Sequence, residues 1–410
     1  MTGADASLER EILAEIDARR EELVDLCAML VAAPSMNPPG ITAQVAEIVE
    51  AYLVGQALEP EYVSIDPEAP NVVATVKGAL PGPHGIFNAH MDTMQPGDEN
   101  AWTVPILSLT RKHARLYGLG MGNLKGGLAA MCIGTAVLNK FRHQLAGSVS
   151  LTAVSDEVMF GTRGTEYLLR ARPDLAGDYM ISAEGPGSMG FAIAEKGLLW
   201  VDVEVRAEGG HSSRAQTGKT SVAQLAAFIS RIDRFNDEVA DLPEELSGVQ
   251  AGEGGYGLRL SANVGTLDAG PVRSLMAPTA RAGIDLRVPP GMTIEALQQR
   301  IEVIAADFPG LHVSFPKGWN PSWAPIDAPL VRELAAAAAE TRGVATVNVV
   351  RLPGSDARHW RDRGVVAVCY GPQPALSAGV DDYANEQDVV DCAKIYVLSA
   401  LRMSRRGQGR

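Results

Sequence analysis

Cysteine and histidine are both scarce in this chain, with four and seven among 410 residues. Cys27, Cys132, Cys369 and Cys392 are widely spaced, form no Cys-x-x-Cys pair and sit in apolar contexts. That excludes a disulfide framework and fits buried free thiols in a reducing compartment. Basic residues are also in deficit, 36 Lys and Arg against 49 Asp and Glu, for a net charge of -13. Phosphate backbones need a basic surface, so nucleic acid is excluded as a partner. No uninterrupted apolar run reaches the roughly 18 residues needed to cross a bilayer. Leu8 to Leu30 mixes Glu, Arg and Asp with apolar residues at helical spacing, unlike the apolar core of a signal peptide. The expectation is a soluble, cytoplasmic protein with no membrane partner.

What the sequence does contain is an ordinary globular composition, 46% hydrophobic and 21% charged. Its length exceeds one compact core and suits two domains. An amphipathic helix is expected over about Leu8 to Val31, ending in the breaker-rich loop Ala33-Pro34-Ser35-Met36-Asn37-Pro38-Pro39-Gly40. A second helix follows at Thr42 to Gly55, then short β-rich runs at Asn71 to Val76, Gly85 to Asn88, Ser148 to Val154 and Tyr179 to Ala183. With the helical stretch Lys125 to Lys140 among them, these predict an α/β sheet flanked by helices.

From Leu199 to Val205 apolar and polar residues alternate strictly, as in a half-exposed antiparallel strand. A helix (Ser221 to Val239), two strands (Leu258 to Leu267 and Ala280 to Val288) and a helix (Ile294 to Asp307) follow. They read as an inserted α+β unit. The α/β pattern returns after Pro316, with a helix at Leu330 to Thr341 and strands near Val347 and Val366.

Three predicted strands end in metal-ligand or base residues: His90 and Asp92 after Gly85 to Asn88, Asp156 and Glu157 after Ser148 to Val154, and Glu184 after Tyr179 to Ala183. In open α/β sheets, ligands bind beyond the carboxyl ends of the strands, so these side chains should converge. A lone His at a strand end is usually a structural hydrogen-bonder; three such ends together point to a metal. Asp92 is spaced to hold the second imidazole nitrogen of His90 with its carboxylate. The glycine-dense Gly118 to Gly127 lacks a phosphate loop's ending and reads as a tight turn presenting Asn123.

Together with Trp102 and Pro105, Lys196-Gly197, Gly210-His211-Ser212-Ser213 and Gly354-Ser355-Asp356-Ala357-Arg358, these motifs come in a recognisable order. Over nearly its whole length the chain resembles the acetylornithine deacetylase, succinyl-diaminopimelate desuccinylase and glutamate carboxypeptidase family of metallopeptidases. The resemblance implies a catalytic domain with a mixed sheet flanked by helices, in two parts at 1–197 and 316–410. Between them, 198–315 would form an α+β lid/dimerisation domain, giving a homodimer or higher homo-oligomer. It also implies two bridged zinc ions, a Glu general base, and His211 stabilising a developing anion in a partner's site.

The departures from this pattern are specific. Asn123 stands where the family has a metal-bridging Asp. Aligned through Gly161 and Gly164-Thr165, Glu157 takes the place of the base and Val158 that of a ligand; the alternative register would make Asp156 the base and Glu157 the ligand. Counting back from Glu386 puts Asp382 at the family's C-terminal His. The expectation is therefore one divalent transition metal per subunit (Mn, Zn or similar), held by His90, Asn123 and Glu184. Two divalent ions against three carboxylates leave a net charge of plus one, and one ion against Glu184 alone leaves the same. Glu157, Asp92 and His211 are the expected catalytic residues. Arg273, Arg287, Arg351 and Arg358 are candidates for a substrate carboxylate; Asp382 would bind metal or substrate.

Two function classes follow. One is a metal-dependent hydrolase of a C–N bond in a small carboxylate-bearing molecule; the other is an inactive relative that binds a ligand. Retention of Glu157 with His90, Asp92 and Glu184 favours the enzyme, because a binding module has no need of a positioned base. Within that class, loss of one metal's ligands fits deamination of an activated aryl amine, 5-nitroanthranilate to 5-nitrosalicylate and ammonia, in which a ring substituent stores the charge. Deacylation of N-acyl amino acids, or dipeptidase or carboxypeptidase action, is the alternative.

Overall fold

The structure, a computed structural model, describes residues 3–187, 189–374 and 379–406. The chain divides into two compact units. The first comprises Met1–Ile193, Ala324–Asn348 and Ser355–Arg410; the second comprises Ala194–Trp323 and Val349–Gly354.

Seven strands of a mixed sheet, which belong to the first unit up to Ile193, lie in the order Glu61–Val63, Asn71–Lys77, Ala146–Val154, Leu80–His90, Tyr179–Ser182, Val366–Cys369 and Phe191–Glu195. The central four run parallel, which brings the carboxyl ends of Ala146–Val154, Leu80–His90 and Tyr179–Ser182 to one edge. The flanking strands are antiparallel. Such central strands are covered on both faces, and their burial is nearly continuous rather than alternating. The helix Gly126–Lys140 is buried along every turn to Asn139 and packs with the C-terminal helix Glu386–Arg406. Leu168, Leu169, Leu175, Met180, Trp360 and Ala367 share a further core cluster.

Several elements differ from expectation. The first helix is two, Gly3–Ala18 and Arg20–Ala32. At the break, Arg19 bonds Glu15 and Gln56 through its side chain, a tertiary contact that no local breaker announces. The helix from Ser221 ends at Ile232, not Val239. Just beyond it, the Asn236 side chain bonds both the N–H and C=O of Ala262 and competes with helix continuation. By length and composition, Met121–Lys140 is apolar enough to span a bilayer, but 94% of its apolar window is buried inside the chain, so it is a core segment.

The second unit covers the 198–315 stretch and extends past it at both ends. Its antiparallel sheet runs in the order Ser261–Ala269, Thr279–Val288, Gly197–Arg206, Leu311–Ser314. Leu199, Val201, Val203 and Val205 point into a core with Leu225, Phe228, Leu297 and Ile301 from the helices Ser221–Ile232 and Ile294–Ala305. The alternating residues Trp200, Asp202 and Glu204 lie on the less buried face. Both helices start on threonine caps, Thr220 accepting from Ala223 N and Thr293 from Ala296 N.

Candidate metal centre

His90 closes its strand and is 2% exposed; Glu184 follows the strand Tyr179–Ser182 and is 1% exposed. Glu157 opens the short turn Glu157–Met159 after Ala146–Val154. One nitrogen or carboxylate oxygen from each of the three lies within 4.8 Å of the other two. His90 Nε2 is 3.6 Å from Glu184 Oε1, 3.8 Å from Glu157 Oε2 and 3.0 Å from Asn123 Oδ1. Burial alone would depress the His90 pKa. The Glu184 hydrogen bond and the negative charges of Glu157, Asp92 and Glu184 override it and push the value well above normal. A buried point where anionic and neutral oxygens converge on an imidazole nitrogen is built to hold positive charge. The donor set of His90, Glu157 and Glu184, with the Asn123 oxygen beside it, therefore fits a divalent cation.

The second imidazole nitrogen is held differently from expectation. His90 Nδ1 lies 2.8 Å from the main-chain carbonyl of Asp92, whereas the Asp92 carboxylate is 3.6 Å away. That carboxylate is engaged elsewhere, accepting from Glu157 N at 3.1 Å, Val158 N at 3.0 Å and Asn37 Nδ2 at 2.9 Å. Asp92 thus fixes both His90 and the turn that carries Glu157.

Asp156 is consumed by structure. Its Oδ1 accepts from Arg163 Nη2 at 3.0 Å and Asn37 at 3.2 Å, and its Oδ2 accepts from Arg163 N at 3.0 Å. Of the two adjacent acids, it is Glu157 that joins His90 and Glu184.

Asn123 is presented by the predicted glycine turn. Gly120 at φ +84° adopts a left-handed conformation that a side chain would oppose. Asp382 binds this turn, accepting from Gly120 N at 2.9 Å and Gly122 N at 3.2 Å, while its carbonyl accepts from Gly118 N. Burial pushes the Asp382 carboxyl up to about 7, against the opposing pull of these N–H groups. Asp382 and Asn123 line one small recess with Thr93 and Met94.

With this geometry, the sequence profile of peptidase family M20/M25/M40 matches residues 86–402. The chain belongs to peptidase family M20/M25/M40. Members hydrolyse amide and peptide bonds. The N-formyl-4-amino-5-aminomethyl-2-methylpyrimidine deformylase of Halalkalibacterium halodurans is 31% identical over 163 residues, 39% of this chain and 38% of that enzyme. The chain therefore matches well under half the length of that relative. Acetylornithine deacetylase of Myxococcus xanthus is 28% identical over 397 residues, 93% of this chain and 96% of that one. Human carnosine dipeptidase 1 shares the fold, with a TM-score of 0.76 at 15% identity over 97% of this chain and 99% of that one.

The remaining predicted residues of this M20/M25/M40 member are dispersed. Arg358 donates to Phe160 O at 2.9 Å, on the turn after Glu157. In the second unit, Arg351 is buried and donates to Gly354 O at 2.5 Å, Arg287 pairs with Asp285 at 2.7 Å, and Arg273 is exposed. His211, also exposed and in the second unit, has Nδ1 2.8 Å from Ser213 Oγ and accepts from Ser213 N, capping its own loop. Three buried groups were not singled out from sequence. Asp356 is pushed up to about 7 by burial and accepts from Asn88 Nδ2 at 3.2 Å. Lys125 is pushed down to about 7 by burial and donates to Ala33 O at 2.8 Å. Asn37 joins Asp92 to Asp156. The first two sit inside motifs already noted; Asn37 sits in a loop whose only sequence signal was its breakers.

Proposed function

We propose that this protein is a metal-dependent hydrolase of a C–N bond in a small carboxylate-bearing molecule, acting in the cytoplasm as a homodimer or larger homo-oligomer. The convergence of His90, Glu157 and Glu184 carries this reading. His90, Asn123 and Glu184 would hold one divalent cation, which supplies Lewis acidity and brings a water's pKa toward neutrality. Glu157 takes a proton from the attacking water and delivers it to the leaving nitrogen. Asp92 keeps that carboxylate in register by holding the Glu157 and Val158 amides. Among Arg273, Arg351 and Arg358, the last is favoured for the substrate carboxylate, because it reaches the turn next to Glu157.

The narrower proposal is hydrolytic deamination of an activated aryl amine: 5-nitroanthranilate plus water giving 5-nitrosalicylate and ammonia. Val158 replaces a carboxylate beside the base and offers an apolar wall to a flat ring. Asp382 is turned onto backbone N–H groups instead of adding a second ligand set. A ring nitro group would store the charge that a second cation otherwise stabilises. N-acyl amide hydrolysis is the second reading, favoured by the acetylornithine deacetylase match over 93% of the chain. The test is incubation of manganese- or zinc-loaded protein with 5-nitroanthranilate and with a panel of N-acyl amino acids and dipeptides. Ammonia release from the aryl amine supports the narrower proposal. Turnover of the panel alone overturns it in favour of the second, and inertness toward both would favour a ligand-binding relative.

A further inference from the structure

The loop from Ala33 to Gly40 takes no part in the chemistry above, yet it touches both halves of the candidate centre. Its backbone runs alongside the end of the His90 strand: Asn37 N donates to Thr93 O at 2.8 Å, and Thr93 N donates to Ser35 O at 2.9 Å. Asn37 is 3% exposed, and its Nδ2 donates to Asp92 Oδ2 at 2.9 Å and to Asp156 Oδ1 at 3.2 Å. Both acceptors are buried, and they belong to different strand ends, one bearing His90 and the other Glu157. A primary amide nitrogen carries two hydrogens and no charge, so it serves two carboxylates at once without adding a third. Aspartate in its place would set a third anion against two, and alanine would leave both acceptors short of a donor. The chain packs tightly here: at Gly40 (φ +77°) a Cβ would lie 2.7 Å from Asn37 Oδ1 and 2.5 Å from Arg163 Nη2.

We infer that Asn37 is a positioning residue that fixes the Glu157 carboxylate against His90 by tying Asp92 to Asp156. Asp92 receives the Glu157 and Val158 amides, and Asp156 anchors the same turn through its carbonyl, which accepts from Met159 N and Gly161 N. The amide of Asn37 closes this frame by bonding both carboxylates. The catalytic consequence rests on Glu157 being the base; the frame itself does not.

The test measures amide hydrogen exchange, metal stoichiometry, kcat and KM in Asn37→Ala and Asn37→Ser. In Asn37→Ala, exchange at Glu157 and Val158 should rise about tenfold or more, while the strand Ala146–Val154 stays protected. On whichever substrate the panel above identifies, kcat should fall on the order of tenfold with KM within about twofold, and metal content should be unchanged. Asn37→Ser, which supplies one donor where two are needed, should fall between alanine and wild type. Unchanged exchange in Asn37→Ala overturns the inference. So does unfolding of both variants, which would make Asn37 a fold determinant alone. Faster exchange with unaltered kcat overturns the positioning role where Glu157→Gln is inactive; where Glu157→Gln is also fully active, it is the assignment of Glu157 as base that fails.

Discussion

Replacing Glu157 by Gln keeps the shape of the side chain and removes one negative charge and one proton acceptor. In the metal-free protein that charge lies 3.8 Å from His90 Nε2. At an effective dielectric of about 20, such a pair interacts by about 4 kcal/mol. The Glu157 side chain retains 15% exposure, so solvent weakens this. The His90 titration in Glu157→Gln should therefore move down, because one of the negative charges that raise it is gone, and this is readable from its imidazole NMR signals. In the metal-loaded protein, loss of a positioned base should lower kcat by a factor of about 100 to 10,000, or about 3–5 kcal/mol of barrier. Metal content should be unchanged, because His90, Asn123 and Glu184 remain. Asp156→Asn is the control: it breaks the pair with Arg163 and should cost about 1–3 kcal/mol of stability. Because Asn37 can still donate to the remaining amide oxygen, kcat should fall by no more than about tenfold, far less than in Glu157→Gln. Full activity in Glu157→Gln, with collapse of activity in Asp156→Asn, would refute the assignment of the base.

Elemental analysis after reconstitution should find about one divalent transition metal per chain, easily lost; two tightly bound zinc ions would contradict the single set His90, Asn123 and Glu184. Because a cation must displace the proton that the surrounding carboxylates hold on His90, affinity should fall up to about tenfold per pH unit below the His90 titration, as calorimetry at several pH values would show. Asp382, raised from 3.8 to about 7 by burial, contributes stability present below pH 3.8 and lost as pH rises through about 7. Relative to wild type, Asp382→Asn should therefore gain thermal stability between pH 5 and pH 8; a shift in the other direction would contradict the burial cause. His211→Ala should lose activity without unfolding, in a protein that sediments as a dimer; a fully active monomer would refute a role for His211 in a partner's site.

The parts of the fold written in periodicity were legible. The alternation from Leu199 to Val205 is a strand buried on one face, and the apolar run before Lys140 is a helix buried all round. Elements decided by distant contacts were not, such as the break at Arg19. The helix Glu386–Arg406 is a different case. Val389, Val390, Ala393, Val397, Leu398 and Leu401 face inward at helical spacing, so the signal was present in a segment read only for its metal-ligand positions.

For the site, residue types at strand ends sufficed to bring His90, Glu157 and Glu184 together, because parallel strands deliver their carboxyl ends to one edge. Spacing failed for Asp92. A His-x-Asp pair allows either the carboxylate or the backbone carbonyl to reach the imidazole, and the choice was made by the Glu157 and Val158 amides, 65 and 66 residues away in sequence, that claim the carboxylate. The same competition explains Asp382. At the position expected from sequence to bind metal or substrate, two glycine N–H groups absorb its carboxylate. The turn presenting Asn123 is thereby fixed by Asp382. On the proposed single-metal reading, the residues at 123, 158 and 382 would act together: a neutral donor at 123 would need a firmly held turn, Asp382 holds that turn, and Val158 would leave Glu157 without a competing carboxylate. Restoring a single family residue, as in Asp382→His, should then weaken the hold on Asn123 without rebuilding a second metal set. Metal binding no tighter than wild type is the expected result, and tight binding of two ions by that single variant would break the argument.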